Sequence, residues 1–298
     1  MLPVKILLAG RNGQLGWELE RSLAGLGEVA AFDHASLDLA DPDAIVARVR
    51  EVRPEIIVNA AAYTAVDRAE TEARAAYAVN ACGPGILAEE ARRIGALLVH
   101  YSTDYVFDGE KEGAYAEDDT PNPLSVYGQS KFEGEQAIRN SGCRHLILRT
   151  SWVYGARGKN FLLTILKLAS ERPELRVVDD QFGAPTWCHD IAQSTLELLA
   201  AAGQSACACE GLYHATASGQ TTWCGFARAI LDEVSSPARL VPIPTEAYPL
   251  PARRPRNSVL DCRRLAERFN VRLPDWRASL HRCMASCVDA TRSGVSTP

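Results

Sequence analysis

Five short apolar runs constrain the fold more than any other feature of the chain: VKILLAG (4–10), EVAAF (28–32), EIIVNAA (55–61), ALLVHYS (96–102) and HLILRTS (145–151). Each reads as a strand. Between them lie stretches of helical spacing: QLGWELERSLAGL (14–26), DPDAIVARVREV (41–52), one or two helices within 67–95, and a further helix from about 125 to 140. Strands separated by helices call for a parallel sheet covered on both faces. The expected fold is α/β, a doubly wound parallel Rossmann sheet. Past residue 155, Pro173, Pro185 and the run VPIPTEAYPLPARRPRN (241–257) interrupt helical patterns at 160–171, 190–202, 224–234 and 261–269. This predicts a dinucleotide-binding domain over 1–155, with segments near 180–202 returning to it, and a smaller C-terminal substrate-binding lobe over 156–298.

With 298 residues, 47% hydrophobic and 23% charged, the chain can bury a sizeable core. A net charge of -5 and the lack of a Lys/Arg run leave no electrostatic footprint for nucleic acid. No apolar stretch is long enough to span a bilayer, and the opening MLPVKILLAG lacks the layout of a secretory signal, so the chain reads as cytoplasmic. Cys207 and Cys209 form only C-x-C, Cys283 and Cys287 are four apart, and the other cysteines are scattered. That is not zinc spacing, and a cytosolic chain keeps its thiols reduced. His100 and His189 lie next to motifs without partners at metal spacing, which points to structural roles.

The first strand runs into AGRNGQLG, with Gly10, Gly13 and Gly16 spaced G-x-x-G-x-x-G at the mouth of the first helix. Glycine lets the backbone turn sharply and approach a pyrophosphate, while the helix N-terminus offers unpaired N–H groups and partial positive charge. Gly10, Arg11, Asn12, Gly13, Gln14, Leu15 and Gly16 thus form a candidate dinucleotide turn. Two cues on the cofactor conflict. Asp33, ending the second strand, suits an unmodified ribose, whereas Arg11 suits a 2′-phosphate, so NADH and NADPH both remain.

NPLSVYGQSKFEGEQ (122–136) places Tyr127 four residues before Lys131, on one helical face. A cation beside a phenol favours the phenolate and makes the tyrosine a usable general acid; the alternative is an exposed helical pair. Thr103, closing HYST at the carboxyl edge of the fourth strand, supplies a hydroxyl for a carbonyl oxygen gaining charge. Thr103, Tyr127 and Lys131 thus converge on one point as a candidate catalytic set.

At this point the chain resembles the dTDP-4-dehydrorhamnose reductase family within the extended short-chain dehydrogenase/reductase superfamily. The resembling segments are GRNGQLG, VNAAAYTAVDRAE, HYSTDYVFDG, NPLSVYGQSKFEGE, LRTSWVYG, DQFGAPT, GLYHATASGQTTWCGFARAI and RRPRNSVLD, in order along nearly the whole chain. The resemblance implies that Thr103, Tyr127 and Lys131 are catalytic, with hydride delivered to C4 of a dTDP-linked 4-keto-6-deoxy sugar. It implies that Lys131 also binds the nicotinamide ribose, that Gly13, Gln14 and Leu15 hold the pyrophosphate, and that Asp38, Leu39, Ala62, Tyr63, Thr64 and Tyr101 complete the cofactor cleft. Asp38 also reads as a turn former. Asp104, Tyr105 and Trp152 match positions that touch the sugar nucleotide, though Trp152 also fits a core.

Arg253, Arg254 and Arg256 suit a diphosphate, with Arg254 the chosen substrate ligand, or form a solvated basic loop. Some members of the family use Mg²⁺ at a dimer contact; Glu18 matches one carboxylate there, so Mg²⁺ and a homodimer enter as expectations. The competing readings are a sugar-nucleotide dehydratase or epimerase and a non-catalytic regulatory subunit resembling that of methionine adenosyltransferase. Dehydratases of the superfamily follow the threonine with Asp-Glu, whereas here Asp104 precedes Tyr105, which favours reduction.

Overall fold

The architecture comes from a computed structural model that describes residues 4–202 and 210–292. All five expected strands form: β1 Val4–Ala9, β2 Gly27–Phe32, β3 Ile56–Asn59, β4 Leu97–Thr103 and β5 His145–Thr150. The helices between them are α1 Gln14–Leu23, α2 Pro42–Val52, α3 Gly83–Ile94 and α4 Val126–Ser141. Later elements include α5 Phe161–Glu171, β6 Glu174–Val178, α6 Cys188–Ala202, β7 Gly211–His214, α7 Trp223–Glu233 and β8 Arg239–Ile243. The main sheet has six strands in the order β7-β5-β4-β3-β1-β2, and every pairing in it is parallel. The chain leaves β1 for β2 on one side and returns to β3 on the other. The carboxyl ends of β1 and β3 therefore flank a topological switch point, where open α/β sheets bind ligands.

Strand alternation explains the burial. In β1, Ile6 and Leu8 enter one apolar cluster with Leu19, Val58, Val99 and Ile191, while Leu7 and Ala9 enter another with Ile45, Val49, Leu87 and Ile147. A side chain of this kind contributes about 1.5–3 kcal/mol when fully buried, which fixes each strand's register. Helix starts follow local chemistry: Asp41 accepts from the amides of Asp43 and Ala44 ahead of Pro42 in α2, and Ser125 caps α4 through the Gly128 amide.

Residues 67–95 hold more than two helices. Val66–Ala69 and Ala73–Tyr77 come first, and a single π turn, Ala78–Cys82, links the second to α3. In the C-terminal half β7 joins the main sheet beside β5, a return at 211–214 that the apolar pattern did not signal. Helix α6 packs on α1, linked by Gln193 Nε2 donating to Ser22 Oγ at 3.0 Å. A third cluster, with Leu162, Ile165, Phe226, Ile230 and Trp276, holds together the C-terminal elements, including β6 paired in parallel with β8. Six described cysteines are free thiols; Cys207 and Cys209 and the side chain of Cys287 lie outside the described residues. No helix among the described residues is long and apolar enough to cross a membrane.

Candidate active site

The glycine turn has the shape that its sequence predicts. Gly10 has φ +90°, and a Cβ there would lie 2.7 Å from the Ala61 amide nitrogen, so only glycine lets β1 pass so close to the end of β3. A Cβ on Gly16 would come within 2.0 Å of the Gly10 carbonyl. Gly13 sits at the N-cap of α1 without a side-chain cap, and Gln14 and Leu15 open the helix. This uncapped N-terminus in a glycine cradle fits a pyrophosphate.

Both ribose cues stand at the same edge. The Asp33 carboxylate is held by Ser36 and by Asn12 Nδ2 at 3.2 Å, and these bonds, Ser36 first, lower its pKa. The Arg11 guanidinium is engaged by Glu20 at 2.6 Å. A cavity of about 310 Å³ lies beside them, lined by Arg11, Asn12, Trp17, Glu20 and Arg21. A larger one, about 870 Å³, opens at the opposite edge of the sheet beside Val4, Arg53, Ile56 and Leu97, away from the residues with chemistry.

Thr103, Tyr127 and Lys131 are brought together by β4 and α4. Burial pushes the Tyr127 phenol up to about 12, while the Thr103 hydroxyl beside it acts the other way. Lys131, 2% exposed, is pushed down to about 8 by burial, with Glu135 acting the other way. Its ammonium does not tune Tyr127 here as the spacing suggested. Lys131 Nζ donates to the Tyr101 carbonyl at 2.6 Å and lies 3.4 Å from His100 Nε2, because a buried amine turns to the nearest acceptor.

Asp104, also 2% exposed, accepts from the Thr103 hydroxyl at 3.0 Å, and its Oδ2 has no partner. Burial raises it to about 7. The Tyr105 ring meets Tyr127 edge-on at 6.0 Å.

The remaining residues expected in the cofactor cleft divide. Tyr63 is fixed twice, its amide donating to Asn80 Oδ1 and its hydroxyl to Glu72, with Ala62 and Thr64 beside it at the end of β3. Leu39 is buried, and Asp38 caps the Ala40 amide, the turn-forming alternative. The Tyr101 side chain points away from Lys131 to Thr195 Oγ1 at 2.7 Å, so only its carbonyl faces the site. Strand alternation is the cause: His100 and Ser102 face α4, and Tyr101 faces α6.

Of the residues expected to touch substrate, Trp152 sits just past Thr150, which pairs with Thr103 across the sheet. Its backbone is left-handed, φ +46°, and its indole stacks on Trp223 at 3.5 Å and 4°. Gly183 makes this position available, since a Cβ there would lie 2.4 Å from the Trp152 ring. Arg254 is neither free nor part of a solvated loop: it clamps Asp67 with two bonds of 2.7 Å.

Glu18 is paired with His189 Nδ1 at 3.0 Å, which also gives His189 its structural partner. Among the described residues no group of three or more His, Cys, Asp or Glu side chains is placed to hold a metal ion. That leaves the expected Mg²⁺ site with one carboxylate already engaged. Sequence reasoning passed over Glu135, Arg149, Asn80 and Trp223. The signal for the first pair was an arginine inside the apolar run HLILRTS and a glutamate one turn after Lys131.

The family described as the RmlD substrate binding domain matches residues 4–288. A dTDP-4-dehydrorhamnose reductase of Burkholderia thailandensis is 50% identical over 94% of this chain and 98% of its own length. That of Escherichia coli K12 is 44% identical over 94% and 97%. The crystal structure of dTDP-4-dehydrorhamnose reductase from Bacillus anthracis in complex with NADP superposes with a TM-score of 0.91 at 35% identity, covering 96% of this chain and all of that one. Sequence and fold agree that the chain belongs to the dTDP-4-dehydrorhamnose reductase family.

Proposed function

We propose that this enzyme reduces the C4 ketone of dTDP-4-dehydro-L-rhamnose to dTDP-L-rhamnose, using NADPH or NADH, in the supply of a nucleotide sugar for cell-surface polysaccharide. The observation that carries the reading is the meeting of Thr103 and Tyr127 at the carboxyl edge of β4, with Lys131 one helical turn on and the Gly10–Gly16 cradle at the switch point. In this reading residues 1–155, together with α6 and β7, hold the cofactor, and most of 156–298 forms the substrate lobe.

Gly10, Gly13 and Gly16, with the open amides of Gln14 and Leu15, hold the pyrophosphate. Asp33 and Arg11 together line the ribose position and support use of either cofactor, while Lys131 takes the nicotinamide ribose. The nicotinamide supplies the hydride when it is bound. Tyr127 donates its phenolic proton to the C4 oxygen, and the Thr103 hydroxyl turns from Asp104 toward that oxygen as charge builds. Tyr105, Trp152 and Arg254 orient the sugar nucleotide, with Arg254 leaving Asp67 for a phosphate. A homodimer in the cytoplasm is the assembled form in this reading, and sedimentation velocity checks it.

The test mixes purified protein with the 4-keto sugar nucleotide and either reduced cofactor while following cofactor absorbance. Oxidation with each cofactor supports the reading. Cofactor binding without oxidation supports a regulatory subunit instead.

A further inference from the structure

His100 is fully buried at the centre of β4 and takes no part in the mechanism above. Its two ring nitrogens have unlike neighbours. Nδ1 lies 3.1 Å from Asn59 Nδ2, across the β3–β4 pairing that sets Asn59 opposite His100. Nε2 lies 3.4 Å from Lys131 Nζ. The orientation of the Asn59 amide is fixed independently, because its Oδ1 accepts from the Ala61 backbone amide at 3.1 Å. Nδ2 therefore faces the imidazole, and an amide NH₂ can only donate. Nδ1 must be the acceptor, so in the neutral ring the proton sits on Nε2, pointing at the amine.

An Nε2–H aimed at an ammonium opposes it, whereas a neutral amine can accept that hydrogen while still donating to Tyr101. We propose that His100 is a positioning residue whose tautomer, locked by Asn59, biases Lys131 toward its neutral form. Burial keeps the imidazole itself neutral, and the nearby Lys131 acts in the same direction. Burial also disfavours the ammonium of Lys131. The opposing charge is Glu135, one turn along α4, but its carboxylate is bound by Arg149 and by Ser102. Tyr127 on the same helix and Asn59 and Tyr101 on the strands bring no further charge to the amine at neutral pH. The consequence for the enzyme is an alkaline limit: where Lys131 must be an ammonium to hold a ribose hydroxyl, NADPH affinity falls about tenfold for each pH unit above its titration.

This inference rests on the reading of Lys131 as a ribose ligand, and two measurements keep them apart. ¹⁵N NMR of His100 in the full chain reads the tautomer directly: the expected result is a protonated Nε2 and a bare Nδ1, and a protonated Nδ1 overturns the proposal. The second measurement is NADPH affinity from pH 6 to 10 in wild type and Asn59→Asp. The carboxylate still accepts from Ala61 but now also accepts from His100 Nδ1–H, turning a bare Nε2 toward Lys131.

Asn59→Asp is expected to move the alkaline fall upward by at least one pH unit, so that near pH 9 it loses about fivefold less affinity than wild type relative to neutral pH. Placing Asn59→Asp on His100→Phe removes the relay, and the upward shift should vanish. If it persists, the new charge acts on Lys131 directly and the role of His100 is refuted. An unmoved alkaline fall refutes it too, while failure of NADPH to bind at pH 7 counts against the ribose-ligand reading instead.

Discussion

Removing the Glu135 carboxylate should unfold more of this protein than removing any surface charge. Glu135 is fully buried on α4, and Arg149, 2% exposed on β5, meets it through two bonds of 2.8 and 2.7 Å. Ser102 of β4 donates to the same carboxylate, and the Arg149 guanidinium lies 5.0 Å from the centre of the Phe107 ring. Glu135→Ala leaves a guanidinium buried without its counter-charge, which costs about 3–5 kcal/mol, a large part of the roughly 5–15 kcal/mol that holds a typical domain folded. Glu135→Gln keeps the shape and one acceptor oxygen, and should cost about half as much.

The pair Glu135→Leu with Arg149→Met leaves no bare charge, so it should be more stable than Glu135→Ala alone despite removing more. Urea unfolding at constant m measures all three. A Glu135→Ala variant within about 1 kcal/mol of wild type would falsify the account of this pair, as would a double variant less stable than Glu135→Ala alone. The same carboxylate ties the helix that carries Tyr127 and Lys131 to β5 through Arg149 and, through Ser102, to β4, the strand that carries Thr103. Stability and catalytic geometry are therefore coupled here.

Three further outcomes follow from the site. Tyr127→Phe removes only the proton donor, so kcat should fall by about 10²–10⁴ with NADPH affinity unchanged, as steady-state rates and calorimetry would show together. Gly16→Ala drives a methyl group into the Gly10 carbonyl 2.0 Å away, at a strain of about 1–3 kcal/mol; titration should find NADPH bound at least tenfold more weakly, and unchanged affinity would refute the cradle. Burial raises Asp104 to about 7, so the native chain holds this proton to higher pH than the unfolded one. Stability is therefore lost as pH rises from about 4 to about 7, and Asp104→Asn should show a higher melting temperature than wild type at pH 8, with the advantage gone near pH 4.

The sheet was legible because β1, β3, β4 and β5 are largely buried and are written as mostly apolar runs, while β2, at the sheet edge, is only half-buried yet keeps the short apolar run VAAF. β7 was not, since GLYH is four residues long and owes its place to pairing with β5. The glycine cradle was legible because much of its steric demand is local, with Gly13 and Gly16 both crowding the Gly10 carbonyl, although Gly10 itself is constrained by Ala61 beyond β3. The Tyr127–Lys131 spacing was legible as well, but the partners of Lys131 were not. They depend on the β3–β4 register that sets Asn59 beside His100, and on Tyr101 offering its carbonyl rather than its ring. Arg254 looked like a free phosphate ligand because Asp67, which neutralises it, lies far away along the chain. Trp152 could be read as either core or site until Trp223 and Gly183 were seen to hold it in a left-handed conformation at the edge of the sheet.

The central claim is hydride transfer to C4 of the sugar, and isotope placement tests it most directly. NADPH deuterated at the transferable C4 position of its nicotinamide is incubated with the enzyme and dTDP-4-dehydro-L-rhamnose, and the product is read by NMR and mass spectrometry. The account predicts dTDP-L-rhamnose carrying one deuterium, at C4 of the sugar, for each cofactor oxidised. A sugar product without that deuterium, or a bound cofactor that is never oxidised, would contradict it.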